Sequence, residues 1–309
     1  MGTSRWSTEE WSSYSATTST RRTEEIFTSR ELHDDLNPKG VNRESRDSDE
    51  NPESTAIIVG CDVTGSMGII AENLVRKGLG VLFEEIYDRK PVTDPHIMVN
   101  GIGDVDYDRA PLQVGQFEAD LTITEDLEKI YVERGGGGNN HESYDMTMYF
   151  AAYHTSIDCF EKRNKKGYLF TIGDELPPEY TSKNAVNKII GDDGLQEDIP
   201  FKEVVTAAQK MYNVYHVIIA EGYYASHYGA ENVRNAWAEY LGQNVVIVND
   251  YNDIAEVIVS IMEVNEGRDK DEVAKSWSGD TSLTVKDAIK DLAAKGDDTT
   301  PTDGDVMRF

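Results

Sequence analysis

The sequence predicts an α/β protein: a Rossmann-like, doubly wound, mostly parallel sheet with helices on both faces and extended polar arms at its two ends. Short apolar runs of strand length alternate with amphipathic helical stretches from residue 55 to residue 266. The first run, at 56–61, is apolar on both faces, which is typical of a strand inside a parallel sheet. Of the first 54 residues, by contrast, seventeen are Ser or Thr and only ten are apolar. That segment cannot bury a core of its own.

The first half of the region 55–266 is predicted to alternate strands and helices. After the strand at 56–61, a helical pattern covers 68–87 with its apolar residues on one face. A second strand is expected at 96–102, and the run 112–117 suits a short strand, with pairing at the sheet edge as one alternative. A helix at 124–132 takes Thr124 as its N-cap. Four glycines at 135–138 end it, and 142–160 is expected to be helical again.

The second half continues the alternation. Strands are predicted at 168–172, 214–220 and 245–248, and helices at 182–190, 201–212, 230–241 and 253–266. Beyond Gly267 the chain is polar, with one more short helix that Thr284 would cap and Gly296 would end. We therefore divide the chain into a polar arm (1–54, disordered or docked on a partner), an α/β domain (55–266) and a polar extension (267–309).

Charge narrows the classes of partner. The 309 residues carry 57 acidic and 30 basic side chains, a formal net charge of −27. Sequence-independent nucleic-acid binding and docking on anionic lipid both need clustered Lys and Arg, so neither is expected. No apolar run reaches membrane-spanning length and no secretory signal is visible. Cys61 and Cys159 lie in apolar segments and fit buried, reduced thiols. We therefore expect a cytoplasmic location, or a virion-associated one if the protein is viral.

Three polar clusters fall at or beside the predicted carboxyl ends of strands, where open α/β sheets bind their ligands. The first is 62–67, directly after the first strand. The second is the glycine-rich segment 135–143, and the third is 171–175, after the central strand. The carboxyl ends of parallel strands meet at one edge, so these clusters mark the candidate site.

The first cluster has the donor chemistry of a site for a hard cation. Asp62, Thr64 and Ser66 alternate along the chain, so their side chains can point the same way in an extended turn. One carboxylate and two hydroxyls suit Mg²⁺, Mn²⁺ or Ca²⁺ and do not suit zinc or copper. The same residue types also suit a turn and a helix N-cap, so Ser66 could serve only to cap the helix that follows.

The pattern Asp62-x-Thr64-Gly65-Ser66 after an apolar strand resembles the metal-ion-dependent adhesion site of von Willebrand factor A domains, of the intracellular bacterial or phage type. The later Gly173-Asp174 resembles that site's downstream aspartate. The resemblance covers about residues 55–266. It implies that Thr64 and Ser66 supply hydroxyl ligands or their water-mediated equivalents, and that Asp62 and Asp174 ligate directly or hold metal-bound waters.

The glycine-rich loop departs from the family pattern, which has a Thr, or in some branches an Asp, at this point. Here the loop carries Asn139 and Asn140, followed by His141 and Glu142. An Asn amide supplies a neutral oxygen, so Asn139 or Asn140 is the candidate replacement ligand, ahead of Glu142. A neutral ligand offers the metal less charge than Asp.

The leading hypothesis is a non-enzymatic adapter that captures a partner's Glu or Asp through the bound cation inside a multiprotein assembly. The resemblance admits an AAA-type ATPase among the partners. A second hypothesis is a structural component of a virion or another large complex, with arms wrapped around neighbours and a structural or vestigial metal site. A Mg²⁺-dependent phosphatase of the haloacid dehalogenase type, with Asp62 as nucleophile, is the third. It requires an Asp at position 64, where this chain has Thr.

Overall fold

Six strands form the central sheet of the protein. In the computed structural model, residues 5–18, 29–65, 67, 70, 73, 78–133 and 141–293 are described. The strands of the sheet are β2 (Thr55–Asp62), β3 (Pro95–Ile102), β4 (Leu112–Val114), β6 (Gly167–Gly173), β9 (Tyr212–Ile219) and β10 (Val245–Val248). Their order is β10-β9-β6-β2-β3-β4. All neighbours are parallel except β4, which lies antiparallel to β3 at one edge.

Helices cover both faces of this sheet. One face carries α2 (Leu79–Arg89), α3 (Ile123–Lys129), α10 (Ile254–Asn265), α11 (Lys270–Lys275) and α12 (Gly279–Ile289). The other carries α4 (Tyr144–Tyr153), α6 (Lys183–Ile189), α7 (Phe201–Met211) and α9 (Ala230–Leu241). The predicted fold class, a doubly wound and mostly parallel α/β sheet, is therefore confirmed.

Strand β2 lies at the centre of the sheet and fixes where a ligand can bind. All eight of its residues are buried, which explains its apolar sequence on both faces. The chain runs from β2 outwards to β3 and β4, and later from β6 outwards to β9 and β10. The winding direction thus reverses between β2 and β6. In open α/β sheets the crevice beyond the carboxyl ends at such a reversal is the usual ligand site.

The described parts of the polar arm lie against the chain's own domain. Helix α1 (Thr8–Thr18) contacts α2, and Trp11 is buried there. Strand β1 (Arg43–Ser45) pairs in parallel with β5 (Thr155–Ile157). Of the arm's larger apolar side chains, Trp6, Trp11, Leu32 and Leu36 are buried or half-buried, and Ile26 and Phe27 lie outside the described residues.

The polar extension is also tied to the domain. Val273, Val285, Ile289 and Leu292 are buried in the same apolar cluster as the helices of that face. The Trp277 indole donates a hydrogen bond to Ser260 in α10. Helix α11 was not foreseen, and α12 begins at Gly279 after Ser278, so Thr284 lies inside the helix and does not cap it. Gly296, the predicted helix end, lies outside the described residues, and the described helix already ends at Ile289.

Two further element predictions differ from the structure. The helix expected over 142–160 is α4, then β5, then the short helix α5 (Asp158–Glu161), because the arm strand β1 pairs with 155–157. Helix α3 begins at Ile123, and Thr124 donates its hydroxyl to the Leu121 carbonyl, so it is not the N-cap. The described part of the domain also contains β7 (Tyr180–Thr181), β8 (Ile199–Pro200), α8 (Tyr223–Tyr228) and a 3₁₀ turn at Tyr251–Asp253.

Candidate functional site

Three adjacent parallel strands each deliver a carboxylate to the same edge of the sheet. Asp62 is the last residue of β2, Asp174 directly follows β6, and Asp104 lies two residues beyond β3. The register brings these ends level, since Asp62 pairs with Ile102 and Cys61 pairs with Ile172. Asp62, Asp104 and Asp174 are each at most 1% exposed. Buried charge at a strand end is costly, so the clustering of these carboxylates at the reversal point of the sheet makes this edge the candidate functional site.

Asp62 is held by the turn that follows it. Its Oδ1 accepts hydrogen bonds from the Thr64 backbone N–H at 2.8 Å and from the Thr64 hydroxyl at 2.7 Å. Its Oδ2 lies 3.3 Å from the Tyr144 hydroxyl, which donates to it. Thr64 is buried with it. Asp62 and Thr64 therefore lie in one hydrogen-bonded turn, and the carboxylate is fixed from two sides.

Asp174 is fixed by the opening of helix α8. The Tyr224 backbone N–H donates to Asp174 Oδ2 at 2.6 Å. A Cβ on Gly222 would lie 2.3 Å from the Asp174 Cβ, so only glycine lets this turn approach the carboxylate so closely. The sequence signal for this contact is Gly222 two residues before Tyr224.

Two glutamates complete a cluster of five buried carboxyl groups. Glu142, at the start of α4, is 3% exposed and Glu175 is 7% exposed. Among the residues that the structure describes, one oxygen of each glutamate and Oδ2 of Asp104 have no hydrogen-bond partner. Burial and the negative charges of Asp62 and Asp174 raise the pKa of Glu175 to about 8. Burial, Asp62 and Glu175 likewise raise the pKa of Glu142, so these groups oppose one another's ionisation.

Tyr144 lies between the two central aspartates. Its ring packs edge-on against His216 and Trp237, which stack on each other with ring centroids 3.7 Å apart. Burial and the charges of Asp62 and Asp174 hold the pKa of the Tyr144 hydroxyl well above its usual value. The phenol therefore stays protonated and is a hydrogen-bond donor to Asp62.

The donor set fits a hard divalent cation. Burial and the neighbouring Asp174 also raise the pKa of Asp62, so a cation placed between these two carboxylates would offset their repulsion. Asp62, Thr64 and Asp174 would hold the cation, with Glu142 close by. In the described part of the chain, no three His, Cys, Asp or Glu side chains are placed to hold a metal by themselves. Hydroxyls, amides and water would have to supply the remaining oxygens.

The structure brings together part of the predicted set. Asp62, Thr64 and Asp174 meet at the sheet edge, whereas Ser66, Asn139 and Asn140 lie outside the described residues. Sequence reasoning ranked Glu142 behind the Asn residues and did not select Asp104 or Tyr144. Asp104 had a usable signal, because Gly103-Asp104 follows a strand just as Gly173-Asp174 does. Tyr144 had none, since its placement depends on how α4 crosses the sheet.

The chain is similar in fold to several solved structures. A crystal structure of the pilus adhesin SpaC from Lactobacillus rhamnosus GG matches with TM-score 0.46 and 12% identity, over 73% of this chain and 32% of that one. Proximal thread matrix protein 1 from the mussel byssus matches with TM-score 0.42 and 9% identity, over 68% and 47%. A von Willebrand factor type A structure from Catenulispora acidiphila matches with TM-score 0.38 and 13% identity, over 70% and 44%.

These likenesses concern the fold alone, and this chain spans between about a third and a half of each of those proteins. No family model matches the chain. No curated protein matches it either. Among the described helices, none combines the length and apolar character that crossing a bilayer requires.

Proposed function

We propose that the protein is a binding domain that holds a divalent cation, Mg²⁺ in the first place, at the carboxyl edge of its sheet. Through that cation it captures a Glu or Asp side chain of a protein partner. One observation carries the proposal: five buried carboxyl groups lie around the reversal point of the sheet, and three of them have an oxygen with no hydrogen-bond partner among the described residues. The bound cation would supply a local positive centre that accepts an anionic oxygen.

The protein's own residues have distinct roles in this proposal. Thr64 holds the Asp62 carboxylate in one orientation, and Tyr144 donates to its other oxygen. The α8 turn fixes Asp174 in the same manner. The backbone and the aromatic packing set these orientations before a cation binds. The carboxylate side chains therefore lose little conformational entropy on binding.

Asp62, Asp174 and Thr64 do not complete the coordination sphere of a divalent cation. We propose Ser66, Asn139, Asn140 and water as its further ligands. The resemblance of Asp62-x-Thr64-Gly65-Ser66 to an adhesion site supports the choice of a carboxylate as the captured group. The chain's acidity does not oppose this at contact, because salt screens exposed charges beyond about 8–10 Å. A role in a multiprotein assembly, with an AAA-type ATPase as one candidate partner, remains part of the proposal.

Calorimetry with Mg²⁺ and Mn²⁺ tests the cation site. The wild-type protein is expected to bind either metal, and Asp62→Ala and Asp174→Ala are expected to lose that binding. Glu239→Ala, which removes an exposed acid on α9, is the matched control and should bind normally. Equal metal binding by all four proteins would overturn the proposal. Capture is tested with a short peptide carrying one glutamate, whose binding should disappear in EDTA and when glutamine replaces that glutamate.

A further inference from the structure

Exposed tyrosines concentrate beside the candidate site. In the described part of the chain, six large apolar or aromatic side chains are strongly exposed. Three of them, Tyr107 (60% exposed), Tyr223 (62%) and Tyr228 (59%), belong to the two segments that adjoin the buried carboxylates. We call these three residues the tyrosine rim. Exposed aromatic rings are costly to hydrate and are enriched at protein interfaces, so their position next to the site needs a reason.

Tyr107 is carried by a turn that is hydrogen-bonded to the site. Asp104 Oδ1 accepts from the Asp106 backbone N–H at 2.8 Å, which closes the turn. The Val105 N–H donates to the Ser143 hydroxyl at 2.9 Å, and the Ser143 N–H donates to the Gly103 carbonyl at 3.0 Å. These bonds tie the turn to the start of α4, where Glu142 lies. Tyr107 is therefore exposed on a fixed support.

Tyr223 and Tyr228 belong to α8, whose opening turn holds Asp174. Their rings are paired along the helix: Tyr223 lies 4.2 Å from His227, and Tyr224 lies 4.5 Å from Tyr228, between ring centroids. The His227 ring also contacts the Tyr223 carbonyl at 2.7 Å. The rings are thus prearranged, which reduces the entropy lost when a partner covers them.

The two parts of the rim flank the site from opposite sides. Tyr107 follows β3 and Tyr223 follows β9, and β6 and β2 lie between these strands in the sheet. Three strand spacings separate them, or about 14 Å at the strand ends. A cation held by Asp62 and Asp174 would lie between the two supports. When a partner inserts one side chain into the site, the residues on either side of that side chain must therefore contact the tyrosine rim.

We propose that the tyrosine rim selects a partner segment in which the captured glutamate is flanked by arginine or lysine. This inference rests on the proposed cation site and adds the chemistry of the partner around it. Tyrosine faces attract guanidinium and ammonium groups through the ring quadrupole. The rim segments, 103–110 and 221–228, contain four acidic residues and one arginine, Arg109.

Peptides of one length test the proposal, with one central glutamate and flanks of arginine, serine or aspartate. Binding of each to the full chain is measured in Mg²⁺ by fluorescence anisotropy. The wild-type protein is expected to bind the arginine-flanked peptide about tenfold more tightly than the serine-flanked one. Tyr107→Ser and Tyr223→Ser should each reduce this tenfold preference to about threefold. The affinity for the serine-flanked peptide should not change. Tyr153→Ser, at the far end of α4 and 53% exposed, is the matched control.

The outcomes separate this inference from the proposed function. Glutamate binding that depends on Mg²⁺ but is indifferent to the flanks and to the rim variants overturns the inference alone. A preference for serine or aspartate flanks also overturns it, as does a dimer of this chain that Tyr223→Ser dissociates. If the arginine-flanked peptide binds equally with glutamine at its centre and in EDTA, yet weakens in the rim variants, glutamate capture and the cation site are overturned and only the preference of the rim for basic residues stands.

Discussion

The Tyr144 hydroxyl lies directly over Gly173, so close that a Cβ at position 173 would be 1.9 Å from the hydroxyl oxygen. Gly173 is the last residue of β6 and precedes Asp174, while the Tyr144 hydroxyl also faces Asp62. One missing side chain therefore lets the phenol stand between the two aspartates. The Gly-Asp pair at this strand end serves both to present Asp174 and to admit Tyr144.

Gly173→Ala should displace the Tyr144 ring and disturb the site. The new methyl would overlap the ring at its rim, with Cζ at 2.7 Å and Cε1 at 2.9 Å, and the ring is held below by His216 and Trp237. We expect the free energy of unfolding to fall by about 1–3 kcal/mol, the usual cost of overpacking a core. Urea denaturation measures this, and calorimetry should show weaker Mg²⁺ binding.

Tyr144→Phe is the control for that substitution. It removes only the 3.3 Å hydrogen bond to Asp62, so the unfolding free energy should fall by about 1 kcal/mol or less. Combined with Gly173→Ala, it should recover part of the loss, because the hydroxyl clash disappears while the Cζ overlap remains. No recovery in the double variant would show that Tyr144 does not occupy this place.

Asp62→Asn should distinguish the effect of Asp62 on the free energy of unfolding from its role in cation binding. The amide oxygen can still accept from Thr64, the amide N–H can donate to the Tyr144 hydroxyl, and the buried repulsion with Asp174 is removed. In EDTA we expect the variant to be more stable than the wild type by about 1 kcal/mol. Added Mg²⁺ should stabilise the wild type alone, by about 2.7 kcal/mol when its concentration is a hundred times the dissociation constant. Destabilisation of the variant in EDTA would indicate a purely structural aspartate.

The sequence was sufficient for the fold class because the buried strands have continuous apolar runs. Strands predicted at 56–61, 96–102, 168–172 and 245–248 lie within one or two residues of β2, β3, β6 and β10. The same reasoning failed at 155–157, where the chain forms β5 inside the helix predicted over 142–160. Its partner strand β1 lies more than a hundred residues away, and no local pattern indicates such pairing.

The candidate site was predictable where chemistry coincides with a strand end. Asp62 and Asp174 follow apolar runs directly, so their meeting follows from parallel pairing alone. Glu142, Glu175 and Tyr144 reach the site through the approach of α4 and the loop after β6, which depends on packing. The arm was predicted to be disordered or docked on a partner. Its described segments lie on the chain's own domain. Contacts within the chain therefore account for part of the polar arm, which had suggested a role in a larger assembly.

Gly80→Ala should release the arm helix. Within a helix, Ala normally gains up to about 1 kcal/mol over Gly. Here the Trp11 ring fills the space, since its Cη2 would lie 1.8 Å from the new Cβ. We expect α1 to move off α2, with a red shift in tryptophan fluorescence and faster tryptic loss of the arm. In a Trp11→Ala background the same substitution should instead stabilise the domain, and an unchanged sign would contradict the contact.

The arm's attachment through Asp47 should weaken in acid. Burial would raise the pKa of Asp47, but hydrogen bonds from Arg163, Ser54 and Lys162 outweigh it and hold this pKa well below its usual value. A lowered folded-state pKa means stability that is complete above the unfolded value of about 3.9 and is lost as the pH falls further. The wild-type unfolding free energy should therefore decline more steeply below about pH 4 than that of Asp47→Asn.

Urea titrations at several pH values measure this difference. At pH 7 the substitution should cost about 2 kcal/mol, because the arginine fork and two further donors lose a charged acceptor whose side chain is only 15% exposed. Asp287→Asn is the control, since Asp287 pairs with Lys290 on the surface and is 52% exposed. Parallel pH curves for wild type and Asp47→Asn would contradict the assignment.

The polar extension should prove indispensable to the domain. Glu263 in α10 is buried and accepts from Arg89 of α2, whose guanidinium lies 3.9 Å from the centre of the Trp277 ring. A chain ending at residue 266 loses that ring and the buried Val285 and Ile289, while the charged pair becomes exposed. Each such apolar side chain contributes about 1.5–3 kcal/mol, so the loss is expected to reach about 5 kcal/mol or more. Urea denaturation of chains ending at 266 and at 293 compares the two directly. The longer chain keeps every contact named here, and equal stability of the two would show that the extension only rests on the surface.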